Sequence, residues 1–287
     1  MIKLGFIGAG TVGTALAFLL SSKGYRVTSA SSRSPASAKN LTKAIDGCRP
    51  FSNNQDVVDT AELVFITTSD DAIAKVASQV QWHAGQSAVH CSGADSTDIL
   101  EPAKKAGARV GVFHPLQSYA SVIQAIENTP GSTFALEAEE PLLTTLKDIA
   151  IAIGGHWIEL KAGDMAAYHT AAVIASNYLT TLVKSATDLW QTFAIPPERA
   201  TRALLPLLRG TLNNIDAMSI PLCLTGPIAR GDTGTIEKHI GTLQRLTPHL
   251  LATYRELGLQ TIPIALAKGK INEQQAREIE AILQRLE

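Results

Sequence analysis

The chain has 287 residues, 45% of them hydrophobic and 18% charged, with 25 lysines and arginines against 26 aspartates and glutamates. That balance allows a substantial core and argues against a basic nucleic-acid surface or an acidic solvating tail. Cys48, Cys91 and Cys223 are odd in number and far apart, so neither a disulfide framework nor a thiolate metal site is expected. No stretch offers about 20 uninterrupted apolar residues, so no membrane span is expected. The opening MIKLGFIGAG reads as a first strand and not a signal peptide, which points to the cytoplasm.

The first half alternates strand and helix. KLGFI (3–7) is a short apolar run ending at glycine, and helical spacing of Ala15, Leu16, Leu19 and Leu20 follows over 11–23. YRVTSAS (25–31) predicts a second strand and 35–46 a helix. ELVFITT (62–68) is continuously apolar, as a strand buried on both faces would be. DDAIAKVASQV (70–80) predicts a helix with its acidic residues at the favourable dipole end. QSAVHCSG (86–93) and ARVGVFH (108–114) predict strands around a helix at 96–106. STFALEA, a helix at 140–153 and HWIEL complete the half. Such alternation predicts an α/β fold with a doubly wound, mostly parallel sheet over 1–160. Beyond Leu160 an all-α domain is expected over 161–287. Its helices are predicted at 164–193, capped by Asp164 and with the alanine-rich 167–179 buried, and at 197–216, 233–257 and 272–286.

Gly8-Ala9-Gly10-Thr11-Val12-Gly13 fits G-x-G-x-x-G directly after a strand and at the opening of a helix. In that context the first glycine makes the tight turn and the second lets a pyrophosphate approach the backbone. The third lets helix and strand pack closely. At the end of the second strand, where NAD specificity calls for a carboxylate, the chain reads Ser31-Ser32-Arg33-Ser34. Arg33 can pair with a 2′-phosphate and the serines can donate to it, so NADP(H) is the expected cofactor. The competing reading of Arg33 is a solvated loop cation. Thr67, Thr68, Ser69 and Asp70, then Ser92 and Gly93, follow further strands at the edge where open α/β sheets bind ligands. For Asp70 the competing reading, a helix cap, is the preferred one.

With these in place, a resemblance emerges. VFHPLQS (112–118), AYHTAAVIASNYL (167–179) and LTGPIARGD (224–232), together with ITTSDDAI (66–73) and VHCSGA (89–94), resemble the bacterial Rossmann-like proteins whose C-terminal helical domain is a domain of unknown function. The resemblance spans nearly the whole chain. It implies an NADP-binding N-terminal domain, a helical domain that commonly dimerises, and a substrate site between the two. The layout is more distantly similar to ketopantoate reductases, β-hydroxyacid dehydrogenases and pyrroline-5-carboxylate reductases. Hydroxyacid dehydrogenases carry a catalytic lysine, with an asparagine one turn later, on the first long helix of the second domain. Here that helix has no lysine before Lys184; His169 stands near the place, with Asn177 eight residues on.

Hydride transfer to a carbonyl needs a proton donor and groups that hold the substrate. On one continuous helix, His169 and Ser176 fall about 20° apart and Asn177 about 80° from His169. His169 is the expected donor, with Asn177 orienting it or the substrate and Ser176 lining the same wall. Helix–helix hydrogen bonding is the rival account for Ser176. His114, before Pro115 at a strand end, is a candidate substrate contact or a histidine bonded to a loop carbonyl. Ser118 and Arg230 are expected to anchor a carboxylate, with Asn214, Thr225 and Asp232 as further substrate contacts. Arg230–Asp232 pairing or helix capping by Asp232 is the alternative. His90, inside an apolar strand, reads as a satisfied core histidine, and no cluster has metal-ligand spacing.

The expected function is NADP(H)-dependent reduction of a small carboxylate-bearing carbonyl compound of ketopantoate or β-hydroxyacid type. The rivals are imine reduction as in pyrroline-5-carboxylate reductases, a non-catalytic NADP-binding or sensing protein, and a deazaflavin-linked NADP reductase. The partners are a small molecule and, by resemblance, a second copy of the chain.

Overall fold

The computed structural model describes residues 2–285. The chain divides into two compact units, Met1–Ser176 and Asn177–Glu287. The sheet ends near residue 160, and the first unit goes on for one further helix. In order, that unit comprises β1 (Lys3–Ile7), α1 (Thr11–Ser22), β2 (Arg26–Ser31), α2 (Pro35–Lys43), β3 (Arg49–Phe51), α3 (Gln55–Thr60), β4 (Leu63–Ile66), α4 (Asp70–Ser78) and β5 (Ser87–His90). A 3-10 turn (Thr97–Leu100) and α5 (Glu101–Lys105) lead to β6 (Arg109–Leu116), α6 (Val122–Asn128), β7 (Thr133–Ala138), α7 (Leu142–Ala152), β8 (His156–Glu159) and α8 (Met165–Ala175).

The eight strands lie in the order β3-β2-β1-β4-β5-β6-β7-β8. All neighbours are parallel except β6 and β7. Alternation along the central strands feeds two cores. Leu4, Phe6, Phe65 and Phe113 join α1 and α7 on one face, while Ile7, Val64, Ile66 and Ala88 meet α3 and α4 on the other. Phe6, Phe65, Phe113 and Phe134 form a row of rings with centroids 4.5–5.8 Å apart. Because strand order reverses between β1 and β4, the loops at their carboxyl ends part and leave a crevice.

The second unit holds α9 (Asn177–Gln191), α10 (Pro197–Met218), α11 (Pro227–Arg230), α12 (Thr233–Leu246), α13 (Leu251–Ala267) and α14 (Glu273–Gln284). Ile228, Ile236, Ile240, Ile262, Ile279 and Leu283 form its core. No helix among the described residues is long and apolar enough to cross a membrane.

Several expectations need correction. The helix predicted over 164–193 is two helices, interrupted at Ser176, whose ψ of −63° comes with a φ of −111°. The single stripe drawn through His169, Ser176 and Asn177 therefore does not exist as one helix face. Asp164 occupies the cap position of α8 but makes no capping bond; its carboxylate accepts from Lys161 N at 3.0 Å. The segment 167–179 is not buried: Ile174 and Tyr178 are each 57% exposed. Likewise the helix predicted over 233–257 breaks at Thr247-Pro248, because proline cannot continue the hydrogen-bond ladder. The last residue of the helix expected to 286 lies outside the described residues.

Candidate functional site

The glycine loop is held by its neighbours. Gly8 has φ of +114° and its N–H donates to the Ser31 carbonyl at 2.9 Å, so only glycine serves there. Thr67 Oγ1 donates to the Gly8 carbonyl at 2.7 Å and ties the end of β4 to the loop. A side chain at Gly13 would collide with Thr67 Oγ1 and the Gly8 carbonyl. At Gly10 a Cβ would meet nothing within 4 Å. Gly10 also stands at the N-cap of α1 without a side chain to satisfy the N–H groups of Thr11, Val12 and Gly13. Open space and unsatisfied donors at a helix N-terminus suit an anionic group.

This loop forms one wall of a cavity of about 1010 Å³. Gly8 to Gly10, Ser32 to Ser34, Asn53 to Gln55 and Thr67 to Ser69 line it, at the carboxyl ends of β1 to β4. The Thr68 hydroxyl is buried in this wall with no hydrogen-bond partner among the described residues. Such a group calls for a ligand atom. Arg33 is exposed at the rim and engages no acidic side chain among the described residues, as a cation reserved for a bound anion would be. The wall fits a dinucleotide whose ribose carries a 2′-phosphate.

Not every expected cofactor residue lines the cavity. Ser31 is buried and donates to Asn54 Oδ1 at 2.8 Å, so it steadies a lining residue. Ser34 lines the rim while its Oγ accepts from Ser37 N and caps α2. Asp70 is the first residue of α4, in the turn where its charge favours the helix. Ser92 is buried in a turn of its own, donating to Asp95 Oδ2 at 2.9 Å and accepting from Ala94 N and Asp95 N. Asn53, Asn54, Gln55 and Lys75 line the cavity and were not anticipated. Asn53, Asn54 and Gln55 follow a three-residue strand too short to read from sequence, and Lys75 lies on α4.

Further along the same carboxyl edge, past β5 and β6, four residues meet. His114 Nδ1 lies 2.8 Å from Tyr168 Oη, and the two rings stand edge to face at 5.5 Å. The His169 ring is 6.2 Å from that of His114. A Cβ at Gly93 would sit 2.7 Å from both His114 Nε2 and His169 Cδ2, so glycine alone lets the loop after β5 approach these rings. Burial, with the nearby His169 and His90 rings, pushes the His114 imidazolium down to about 4, and burial lifts the Tyr168 phenol to about 12. Both are neutral near pH 7. His90 is a satisfied core histidine. Its Nδ1 accepts from Ser92 N at 3.1 Å, which leaves Nε2–H to donate to the Ser96 carbonyl. Tyr168 was missed because an aromatic in an alanine-rich helix reads as core.

The remaining candidates are placed separately. Ser118 is exposed on the loop after β6 and Ser176 at the joint after α8. Asn177 opens α9, Asn214 is exposed on α10, and Thr225 precedes α11. Asp232 caps α12, accepting from Thr235 N at 3.0 Å and Thr235 Oγ1 at 2.8 Å. Arg230 Nη2 stands 4.0 Å from Asp232 Oδ2 with most of its side chain exposed. No group of acidic, cysteine or histidine side chains among the described residues is arranged to hold a metal ion.

Residues 1–115 match a Rossmann-like domain and residues 132–261 match a domain of unknown function, DUF2520. Among curated protein sequences none matches. A solved protein from Thermotoga maritima is 28% identical, with a TM-score of 0.73, over 92% of this chain and 99% of that one. A protein from Bacteroides fragilis, named provisionally as an NADP oxidoreductase, is 24% identical, with a TM-score of 0.72, over 91% and 98%. A reductive aminase from Aspergillus terreus, solved with NADPH and ethyl levulinate, shares the fold at 17% identity and a TM-score of 0.67, over 98% and 99%. The chain thus carries a Rossmann-like domain followed by a DUF2520 domain.

Proposed function

We propose that the protein is an NADP(H)-dependent reductase of a small carbonyl or imine compound. The observation that carries this reading is the cavity at the carboxyl ends of β1 to β4, where Gly10 leaves open space, Thr68 has an unmet hydroxyl and Arg33 stands at the rim. The N–H groups of the α1 first turn would hold the pyrophosphate, and Arg33 with Ser32 the 2′-phosphate. When bound, the cofactor supplies a hydride, which is the chemistry the protein itself lacks.

The preferred substrate is a small carboxylate-bearing carbonyl compound. Arg230, with its exposed guanidinium, would hold a carboxylate, and Ser118 and Asn214 would offer further donors. His169 makes no hydrogen bond among the described residues and would contact the substrate, with Ser176 and Asn177 as further contacts seven and eight residues on and Thr225 and Asp232 supporting Arg230. The imine reading is favoured by the neighbours that act on imines, including an imine reductase from Pseudomonas sp. with a TM-score of 0.64. The exposed apolar residues of α9 and α10, among them Tyr178, Leu205, Leu212 and Ile215, would be covered by a second copy in a homodimer.

The test is a titration with NADPH and NADH, followed by a screen of 2-oxo acids and cyclic imines read at the reduced-nicotinamide absorbance. The reading expects tighter binding of NADPH and consumption with one substrate class. Absence of NADPH binding overturns it.

A further inference from the structure

We infer that Tyr168, held by His114, is the residue that protonates the substrate oxygen or nitrogen, and that His169 is a binding contact. This rests on the reductase reading above.

The position supports it. The cavity occupies the carboxyl ends of β1 to β4, and the Gly93–His114–Tyr168–His169 group lies on the same edge one and two strands further on, at β5 and β6. A dinucleotide held in the cavity would have its reacting end directed along that edge, toward this group.

The chemistry supports it as well. A proton donor works best when its position is fixed and its conjugate base is stabilised. Tyr168 Oη has both: His114 Nδ1 is 2.8 Å away, and a His114 ring with its proton on Nδ1 donates to the phenol oxygen. The Tyr168 proton then points away from His114 and is free for the substrate. His169 has no hydrogen bond among the described residues to fix its ring or tautomer. The neutrality of His114 and the protonated state of Tyr168 near pH 7 suit the arrangement. In the step itself, the π pair of the C=O or C=N bond moves onto oxygen or nitrogen as hydride reaches carbon. That atom takes the Tyr168 Oη proton. The Tyr168 O–H bond breaks, a substrate O–H or N–H bond forms, and water restores the phenol. The phenolate is short-lived and shielded by the His114 N–H. A nascent alkoxide is a far stronger base than a phenolate, so transfer is downhill even from a phenol of raised pKa. Gly93 completes the device, since any side chain there would displace the His114 ring.

The test separates proton delivery from hydride acceptance. Wild type and Tyr168→Phe are given NADPH with either a ketone or an N-methylated cyclic iminium ion, which accepts hydride and needs no proton. We expect kcat on the ketone to fall by about 100-fold or more, the usual contribution of a general acid. Turnover of the iminium ion should stay within about threefold. His169→Ala should raise KM more than it lowers kcat. In the cofactor-free protein, the ring ¹⁵N shifts of His114 should move in Tyr168→Phe, because its Nδ1 partner is gone. Equal loss on both substrates, retention of both, or unmoved His114 shifts overturns the inference. A wild type that binds NADPH yet reduces neither compound overturns the reductase reading itself.

Discussion

Thr67 Oγ1 donates to the Gly8 carbonyl across 59 residues of sequence, and this bond joins the β4 end to the loop that opens α1. Its partner carbonyl lies at the turn that sets the floor of the cavity. Thr67→Val keeps the shape and removes the donor. A partly buried carbonyl left unpaired costs about 1–3 kcal/mol. The expected outcome is a lower unfolding midpoint and a several-fold weaker Kd for NADPH, measured by thermal melting and fluorescence titration. A variant that melts and binds like wild type would show that the bond does not hold the loop.

Gly13 and Gly10 make a paired prediction because their surroundings differ. At Gly13 a methyl group collides with Thr67 and the Gly8 carbonyl, so Gly13→Ala should destabilise the fold by roughly 1–3 kcal/mol through overpacking. At Gly10 a methyl group meets no protein atom, and the φ of −82° suits alanine. Gly10→Ala should therefore fold normally and lose NADPH affinity, because the methyl group enters the space left for the pyrophosphate. Urea unfolding and NADPH titration of both variants check this. Equal stability losses would remove the distinction.

The legible parts of this protein are those written in local pattern. The glycine loop, the alternation Leu4, Phe6 against Ile7, and the apolar run of β4 each declare themselves within a few residues. β3 does not, since Arg49–Phe51 is three residues at a sheet edge and one of them is proline. The break at Ser176 carries neither glycine nor proline, so nothing local announces it. The break at Thr247-Pro248 did carry that signal, and the helical spacing on either side masked it. Asp232 was readable as a cap because its partner Thr235 lies three residues on. Tyr168 was not readable, because the atom that gives it meaning, His114 Nδ1, lies 54 residues earlier and meets it only in the folded unit. Ser31 misled for a related reason. Its place at a strand end suggests a ligand, but Asn54 takes its hydroxyl.

Arg33 is the cofactor selector in this reading. A charge-assisted hydrogen bond contributes about 1.5–3 kcal/mol, which corresponds to a ten- to hundredfold change in affinity or somewhat more. Arg33→Ala should weaken NADPH by that factor and leave NADH nearly unchanged, because NADH has no 2′-phosphate to lose. Paired Kd measurements decide it. Equal weakening of both cofactors would assign Arg33 to some other part of the dinucleotide.

The apolar stripe of α10 predicts an assembly. Leu205, Leu212 and Ile215 follow heptad-like spacing and are 38%, 54% and 39% exposed. Single chains seldom leave such a row in water. Wild type should sediment as a dimer, and the double variant Leu212→Asp with Ile215→Asp should sediment as a monomer. A monomeric wild type at micromolar concentration removes the proposal.

Acid should weaken the first unit through His114. Its pKa in the folded protein is about 4, against an ordinary value of 6.5 in the unfolded chain. As pH falls below about 6.5, the unfolded chain binds a proton that the folded protein refuses. Stability therefore drops across the window from 6.5 to about 4, and this contribution levels off below it. At about 1.4 kcal/mol per pH unit, the loss from His114 is at most roughly 3 kcal/mol. His90, also lowered by burial, adds in the same direction. Carboxylates titrate near the lower end of the window, so the measurement is a difference between urea-unfolding free energies of wild type and His114→Gln from pH 7.5 to 4. Glutamine has no proton to bind, so the variant should show the shallower decline, with the two curves drawing together as pH falls. Parallel curves would mean that His114 titrates alike in both states and is not held neutral by the fold.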